Sequence, residues 1–216
     1  MKRYDYTFAD LWLIATFPSR KYDIDTYPAI KKYLLSFSIQ RLEQTGNKYI
    51  IQGEKVNARK KTNNKWFETQ DSISYWEDFS NQKIAYNDIT RRLSFTKVGP
   101  DVFFNNTVYF ISYNEHLDYL LTVLNSKLID WYYKFLSVQL GESAVRMFSI
   151  YVLKIPVVKP TVEIENNFVS LLDKLLKNKD DKIKSTLIEK EIDNAVYSLY
   201  NLTKDEIDLI ENFYSS

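Results

Sequence analysis

Cysteine is absent from this 216-residue sequence, and histidine occurs only once. Without cysteine the chain can have no disulfides and no thiolate metal ligands, and a single histidine excludes most zinc chemistry. Glycine and proline are also scarce, at four and five residues, so we expect mostly regular elements with few tight turns. No apolar run approaches the roughly 20 residues of a membrane-spanning helix, and the opening MKRYDY has no apolar leader. These absences predict a cytoplasmic protein.

The sequence is rich in the residues that build a core. Hydrophobic residues make up 45% of the chain and aromatic residues 16%, so a disordered chain is not expected. The net charge of +1 conceals an asymmetry: residues 1–100 contain 17 Lys and Arg against 11 Asp and Glu, whereas residues 101–216 contain 12 against 17. A basic front half is typical of a surface that meets a polyanion, although ordinary fluctuation would also produce it.

Hydrophobic periodicity predicts the main elements. Apolar residues at helical spacing predict a core-facing helix over residues 117–135, whose polar centre, Asn125 to Lys127, is expected to be a solvated shoulder. Pro28 begins a second predicted helix, over residues 28–45. Strands are predicted over residues 11–17, 48–52, 83–90 and 107–112, and an exposed loop over residues 54–65.

The last third of the sequence is helical in pattern. Helical faces begin at Ile164 and at Ile183, and Thr203 with Glu206 forms a capping box that opens a final helix. Asn201, just before that helix, suits a left-handed cap conformation. We therefore expect a helical segment distinct in kind from the residues before it.

Several of these segments resemble, in order, the TaqI-like C-terminal specificity domain of adenine-specific DNA methyltransferases and fused type II restriction-modification enzymes. The similar segments are LNSKL at residues 124–128, KRYDY at 2–6, KIAYNDIT at 83–90, TVYFIS at 107–112, GESAVRMFSIYVLKIP at 141–156 and IDNAVYSLYNLTKDEIDLIE at 192–211. The resemblance implies a mixed α/β (α+β) fold. Residues 1–158 would form the target-recognition domain, with a curved mixed sheet and flanking helices, and residues 159–216 a helical appendage on that domain or on a second subunit.

The resemblance also implies a function. The chain would recognise a specific double-stranded DNA sequence and position an adenine-specific methyltransferase, in the same parent chain or in a partner subunit, with a nuclease as a further component. Recognition loops in this family differ between enzymes because they determine the target. No membrane partner is expected.

The motifs of the family's catalytic domains are missing from this sequence. It contains no Pro-Pro pair, and its glycines, at positions 46, 53, 99 and 141, are too scattered to hold a cofactor. Asp180-Asp181-Lys182 lies in a polar helical pattern and is a weak match to a nuclease site, and His116 is expected to start a helix. We therefore expect no reaction by this chain alone and no cofactor in it. S-adenosylmethionine and Mg²⁺ are expected only in separate catalytic domains. The chain alone is therefore expected to be non-catalytic, but to be part of an adenine-specific DNA methyltransferase or type II restriction enzyme.

Residues suited to DNA contact lie in two groups, the basic segment 59–65 and the surroundings of the predicted strand 83–90. Arg146 is a further, separate candidate. Cations bind phosphates, whereas arginine and asparagine side chains also bind base edges. For the basic segment the alternative is a solvated surface turn, and for Arg146 it is an internal ion pair. The predicted DNA-binding residues are Arg59, Lys60, Lys61, Asn63, Asn64, Lys65, Asn87, Arg91, Arg92 and Arg146.

A second function class remains open at this stage. The helical C-terminal segment could be the working part of a protein–protein interaction or structural module, in which the basic residues have no contact with DNA. Salt-dependent duplex binding distinguishes the two classes.

Overall fold

A computed structural model describes residues 2–112, 115–141 and 144–214. The chain forms two compact units: an inserted unit of residues 9–77, and a main unit made of the residues up to 8 together with those from 78 onward. The domain division predicted at residue 158 stays a prediction. Each unit has its own buried residues.

The inserted unit combines two short helices with a hairpin. Its elements are α1 (Pro28–Leu35), α2 (Ile39–Leu42), β1 (Lys48–Ile51) and β2 (Glu54–Asn57). β1 and β2 pair antiparallel, with Lys48 opposite Asn57. Pro28 begins α1 as predicted, but the helix expected over residues 28–45 is interrupted at Ser38, whose φ is 70°.

Two expectations for the inserted unit are wrong. Residues 54–57 belong to a strand because they pair with β1, so the exposed loop begins only at residue 58. Residues 11–17 form no strand, since none of the strands in the described part of the chain pairs with them. Leu11 and Trp12 are exposed, and this segment is attached instead at its end, where Thr16 Oγ1 donates to the Phe67 carbonyl at 2.6 Å.

The main unit contains two three-stranded antiparallel sheets. The first has the order β5-β3-β6, formed by β3 (Lys83–Asn87), β5 (Phe95–Val98) and β6 (Val108–Ile111). The second has the order β4-β8-β7, formed by β4 (Ile89–Thr90), β7 (Gln139–Leu140) and β8 (Ala144–Arg146). The mixed α/β class is confirmed. The described strands, however, form small antiparallel sheets and not one curved mixed sheet.

The helix predicted over residues 117–135 is two helices, α3 (Leu117–Leu124) and α4 (Lys127–Leu136). The polar residues between them are buried, so the expected solvated shoulder is wrong. The Asn125 side chain accepts from Phe95 N and donates to Phe95 O, both at 2.9 Å, and therefore pairs with β5 as a neighbouring strand would. Ser126 caps α4, and Asp193 accepts from Lys127 N at 2.8 Å.

The remaining helices are α5 (Ser149–Val152), α6 (Val162–Lys177), α7 (Lys182–Leu199) and α8 (Lys204–Phe213). α6 packs against α3 and α7, while α4 packs against α7 and α8. Phe168, Ile192, Val196 and Ile210 of these helices share one core with α3 and α4. The predicted capping box at Thr203 is present, and Asn201 has the left-handed φ of 53°.

Candidate nucleic-acid interface

The basic loop of the inserted unit, residues 58–65, is fixed by main-chain hydrogen bonds to residues 43–47, the segment between α2 and β1. Gly46 N donates to Arg59 O at 2.9 Å, and Thr62 N donates to Gln44 O at 3.1 Å. The buried Gln44 side chain also donates to the carbonyls of Lys65 and Glu68, at 3.1 and 2.9 Å. The loop therefore has a defined path although it contains no helix or strand.

Arg59 lies on the inner side of this loop. Its guanidinium donates to three backbone carbonyls: Leu42 at 2.7 Å from Nε, Glu68 at 2.8 Å from Nη1, and Trp66 from Nη2. Burial lowers the pKa of Arg59, while the three carbonyls satisfy its donors. These contacts give Arg59 a structural role, and its predicted contact with DNA stays a prediction.

The outer side of the basic loop carries exposed cations. Lys60, Lys61, Asn63 and Lys65 are exposed. Asn64 is half-buried, and its amide donates to the carbonyls of Thr69 and Gln70, both at 3.1 Å. Three lysines and one asparagine amide therefore face solvent on a loop whose other polar groups hold its shape.

The second predicted group lies in the main unit. Asn87 ends β3, and Arg91 and Arg92 follow β4 directly and are exposed. The backbone of this segment is attached to the core of the main unit, because Leu93 N donates to the buried Asp130 carboxylate at 2.6 Å. Arg91 and Arg92 thus extend from a fixed turn.

Arg146 lies on β8 of the same unit. Its Nη1 donates to Asp88 Oδ2 at 2.7 Å, and its Cζ lies 5.3 Å from the centre of the Phe148 ring. Arg146 thus forms the internal ion pair that the sequence allows as the alternative to DNA contact. Its side chain nevertheless stays 35% exposed, so contact with a ligand is compatible with the ion pair. Phe148 was missed from the sequence, although its position two residues after Arg146 could have indicated it.

In the part of the chain that the structure describes, no cluster of three or more His, Asp or Glu side chains could hold a metal ion. His116 precedes α3 as expected, and its Nδ1 lies 2.8 Å from Glu165 Oε1. None of the described helices is long and apolar enough to cross a membrane.

These features define a mixed α/β protein with cationic surface groups on both of its units. The model of the TaqI-like C-terminal specificity domain family matches residues 27–157, more than half of the chain, and the chain belongs to that family. A search of curated proteins gave no match. Membership supports a DNA-recognition role in restriction-modification and implies association with a methyltransferase. The match ends before α6, so the family model does not cover the helical C-terminal segment. The likeness of that segment to the family's enzymes is the sequence similarity of residues 192–211.

Proposed function

We propose that this chain recognises a specific sequence in double-stranded DNA and positions an adenine-specific methyltransferase domain on it. That domain would belong to the same parent chain or to a partner subunit, with a nuclease as a further component. The target adenine would be flipped out of the duplex into the methyltransferase pocket. Family membership supports the recognition role.

The observation that carries this proposal is the arrangement of the basic loop. Lys60, Lys61 and Lys65 are exposed, while Arg59 and Gln44 hold the backbone beneath them. A loop of defined shape with outward lysines can contact phosphates in one register, and phosphate contacts supply much of the affinity of such proteins. A merely solvated turn does not require this set of internal hydrogen bonds.

The test is a titration of the chain with random-sequence duplexes at about 50 mM and about 200 mM salt, where several phosphate contacts give a steep loss of affinity. The double variant Lys60→Ala/Lys61→Ala should bind more weakly. The slope of log K against log salt should fall by roughly 1 for each lost contact, or about 2 in all.

A matched control removes two exposed lysines from the helical segment, Lys177→Ala/Lys182→Ala, which changes the net charge equally. This control should keep the affinity and salt slope of the unmodified chain. Equal effects of the two double variants would show that net charge, and not the basic loop, determines binding.

We also propose that S-adenosylmethionine and Mg²⁺ bind only to the catalytic domains outside this chain. The absence of a Pro-Pro pair and of a glycine-rich cofactor loop supports this assignment. Incubation of the chain with duplex DNA and a labelled methyl donor should give no transfer, and measurable turnover would contradict the proposal.

The competing function is a protein–protein interaction module built on the C-terminal helices. The exposed apolar residues Ile183 and Leu187 of α7 favour it, since the same helix buries Ile188 and Ile192 in the core of the main unit and leaves these two side chains outside it. A salt-independent titration, or no duplex binding at micromolar protein, would support this alternative.

A further inference from the structure

The strand β8 presents Arg146 on the solvent side of its sheet. Side chains alternate between the two faces of a strand, and here Val145 is buried while Arg146 is partly exposed. Arg146 pairs directly with Ile89 of β4, which is 49% exposed. The face of the sheet that carries Arg146 is therefore open to a ligand.

The backbone of Arg146 is held on several sides. Its N–H donates to Val138 O at 3.1 Å, and its carbonyl accepts from Tyr133 Oη at 3.0 Å and from Ser137 Oγ. The next residue, Met147, donates from its N–H to Asp88 O at 2.7 Å. A side chain that starts from such a fixed point has a well-defined position, as a specific contact requires.

The guanidinium of Arg146 is oriented by two contacts, one with Asp88 and one with Phe148. Within residues 2–112, 115–141 and 144–214, Asp88 is the sole hydrogen-bond acceptor of its side chain, through Nη1. Phe148 lies against the guanidinium and restricts its rotation. The Nε–H and Nη2 groups therefore have no acceptor among the described residues, and arginine presents such N–H groups as a planar fork.

This arrangement differs from that of Arg59, in which all three guanidinium nitrogens donate to carbonyls inside the protein. It also differs from the exposed lysines, which suit phosphates as point charges. An arginine that is held in place by one carboxylate and lies on an exposed face of a sheet can donate from two other N–H groups to O6 and N7 of guanine in the major groove. Arg91 and Arg92 directly follow β4, the strand paired with β8, and add positive charge at that end of β4.

We propose that Arg146 determines specificity by donating from its free N–H groups to O6 and N7 of one guanine, and that Asp88 is the positioning residue that orients it. This inference rests on the proposed function and deepens it, because it assigns one base of the target to one residue.

The experiment selects bound duplexes from a random-core library with the unmodified chain, Arg146→Lys and Asp88→Asn, and compares the base preferences. Arg146→Lys keeps the charge but loses the fork, while Asp88→Asn removes the carboxylate charge that orients it. The unmodified chain should enrich a site that contains guanine. Both variants should reduce the preference for guanine at one position only, by roughly 5- to 150-fold for Arg146→Lys and less for Asp88→Asn.

The outcomes separate this inference from the proposed function. A uniform loss of affinity for all sequences would make Arg146 a phosphate contact, and an unchanged base preference in both variants would make the ion pair purely structural; either result overturns this inference alone. Absence of duplex binding by the unmodified chain overturns the proposed function as well. Lys60→Ala/Lys61→Ala serves as the control that lowers affinity without changing base preference.

Discussion

At the scale of single residues, neighbours in the basic loop have opposite roles. Arg59 donates to carbonyls of Leu42, Trp66 and Glu68, whereas Lys60 and Lys61 extend into solvent. A charged donor that joins separate backbone segments contributes more to stability than an exposed cation, because its loss takes away the donor of the Leu42 and Trp66 carbonyls.

We therefore predict that Arg59→Ala lowers the free energy of unfolding of the inserted unit by about 2–4 kcal/mol. Lys60→Ala, the matched neighbour, should change it by less than about 0.5 kcal/mol. Urea unfolding followed by tryptophan fluorescence measures both, since Trp12, Trp66 and Trp76 lie in this unit. Similar stabilities for the two variants would contradict the structural role of Arg59.

At the scale of elements, the break between α3 and α4 is a specific connection to β5. Asn125 is 2% exposed and forms two hydrogen bonds with the Phe95 backbone, so the LNSKL segment joins the helices to the sheet. Arg3 also donates to the Asn125 carbonyl, and Tyr4 N donates to Phe95 O at 3.0 Å. The first residues of the chain thus converge on the same point.

Replacement of Asn125 tests this connection. Asn125→Ala should destabilise the main unit by about 1–3 kcal/mol, because the Phe95 N–H would lose its buried acceptor, while the Phe95 carbonyl keeps Tyr4 N as a donor. Asn194→Ala removes an exposed asparagine from α7 and should leave stability nearly unchanged. Hydrogen exchange at Phe95 N–H gives a local measure. Its protection should fall in Asn125→Ala, and full protection there would count against the pairing.

The sequence predicted elements whose signals are local. Hydrophobic spacing gave α6, α7 and the strands β1, β3 and β6, and the Thr203 capping box marked the start of α8. The break at Asn125 was missed because its partner, Phe95, is 30 residues away. Arg59 was likewise assigned to the outer surface because its acceptors at Leu42 and Trp66 become neighbours only through folding. The exposed lysines of the basic loop were predictable from composition alone.

At the scale of the whole molecule, the helices after residue 158 complete the core of the main unit. Residues Phe168, Leu172, Leu175, Ile188, Ile192, Val196, Tyr197 and Ile210 are buried in it together with α3 and α4. Each such side chain contributes about 1.5–3 kcal/mol through burial. Their sum is comparable to or larger than the ~5–15 kcal/mol net stability of a typical domain.

We predict that a chain ending at residue 158 does not form a stable main unit. Circular dichroism should show no cooperative thermal transition for that unit, and limited proteolysis should cleave within residues 117–136. The full chain provides the control. A truncated chain that melts cooperatively near the temperature of the full chain would show that residues 1–158 are an independent domain.

The internal hydrogen bonds of the basic loop also have a consequence for how the charge on its outer surface can vary. Gln44, Arg59 and Asn64 fix the path of the loop, so the outward positions 60, 61, 63 and 65 can be exchanged without disturbing the backbone. The charge of the loop surface could then change one substitution at a time, through a series of intermediates that all remain folded. Under the proposed function, such changes would strengthen or weaken the phosphate contacts without altering the base preference.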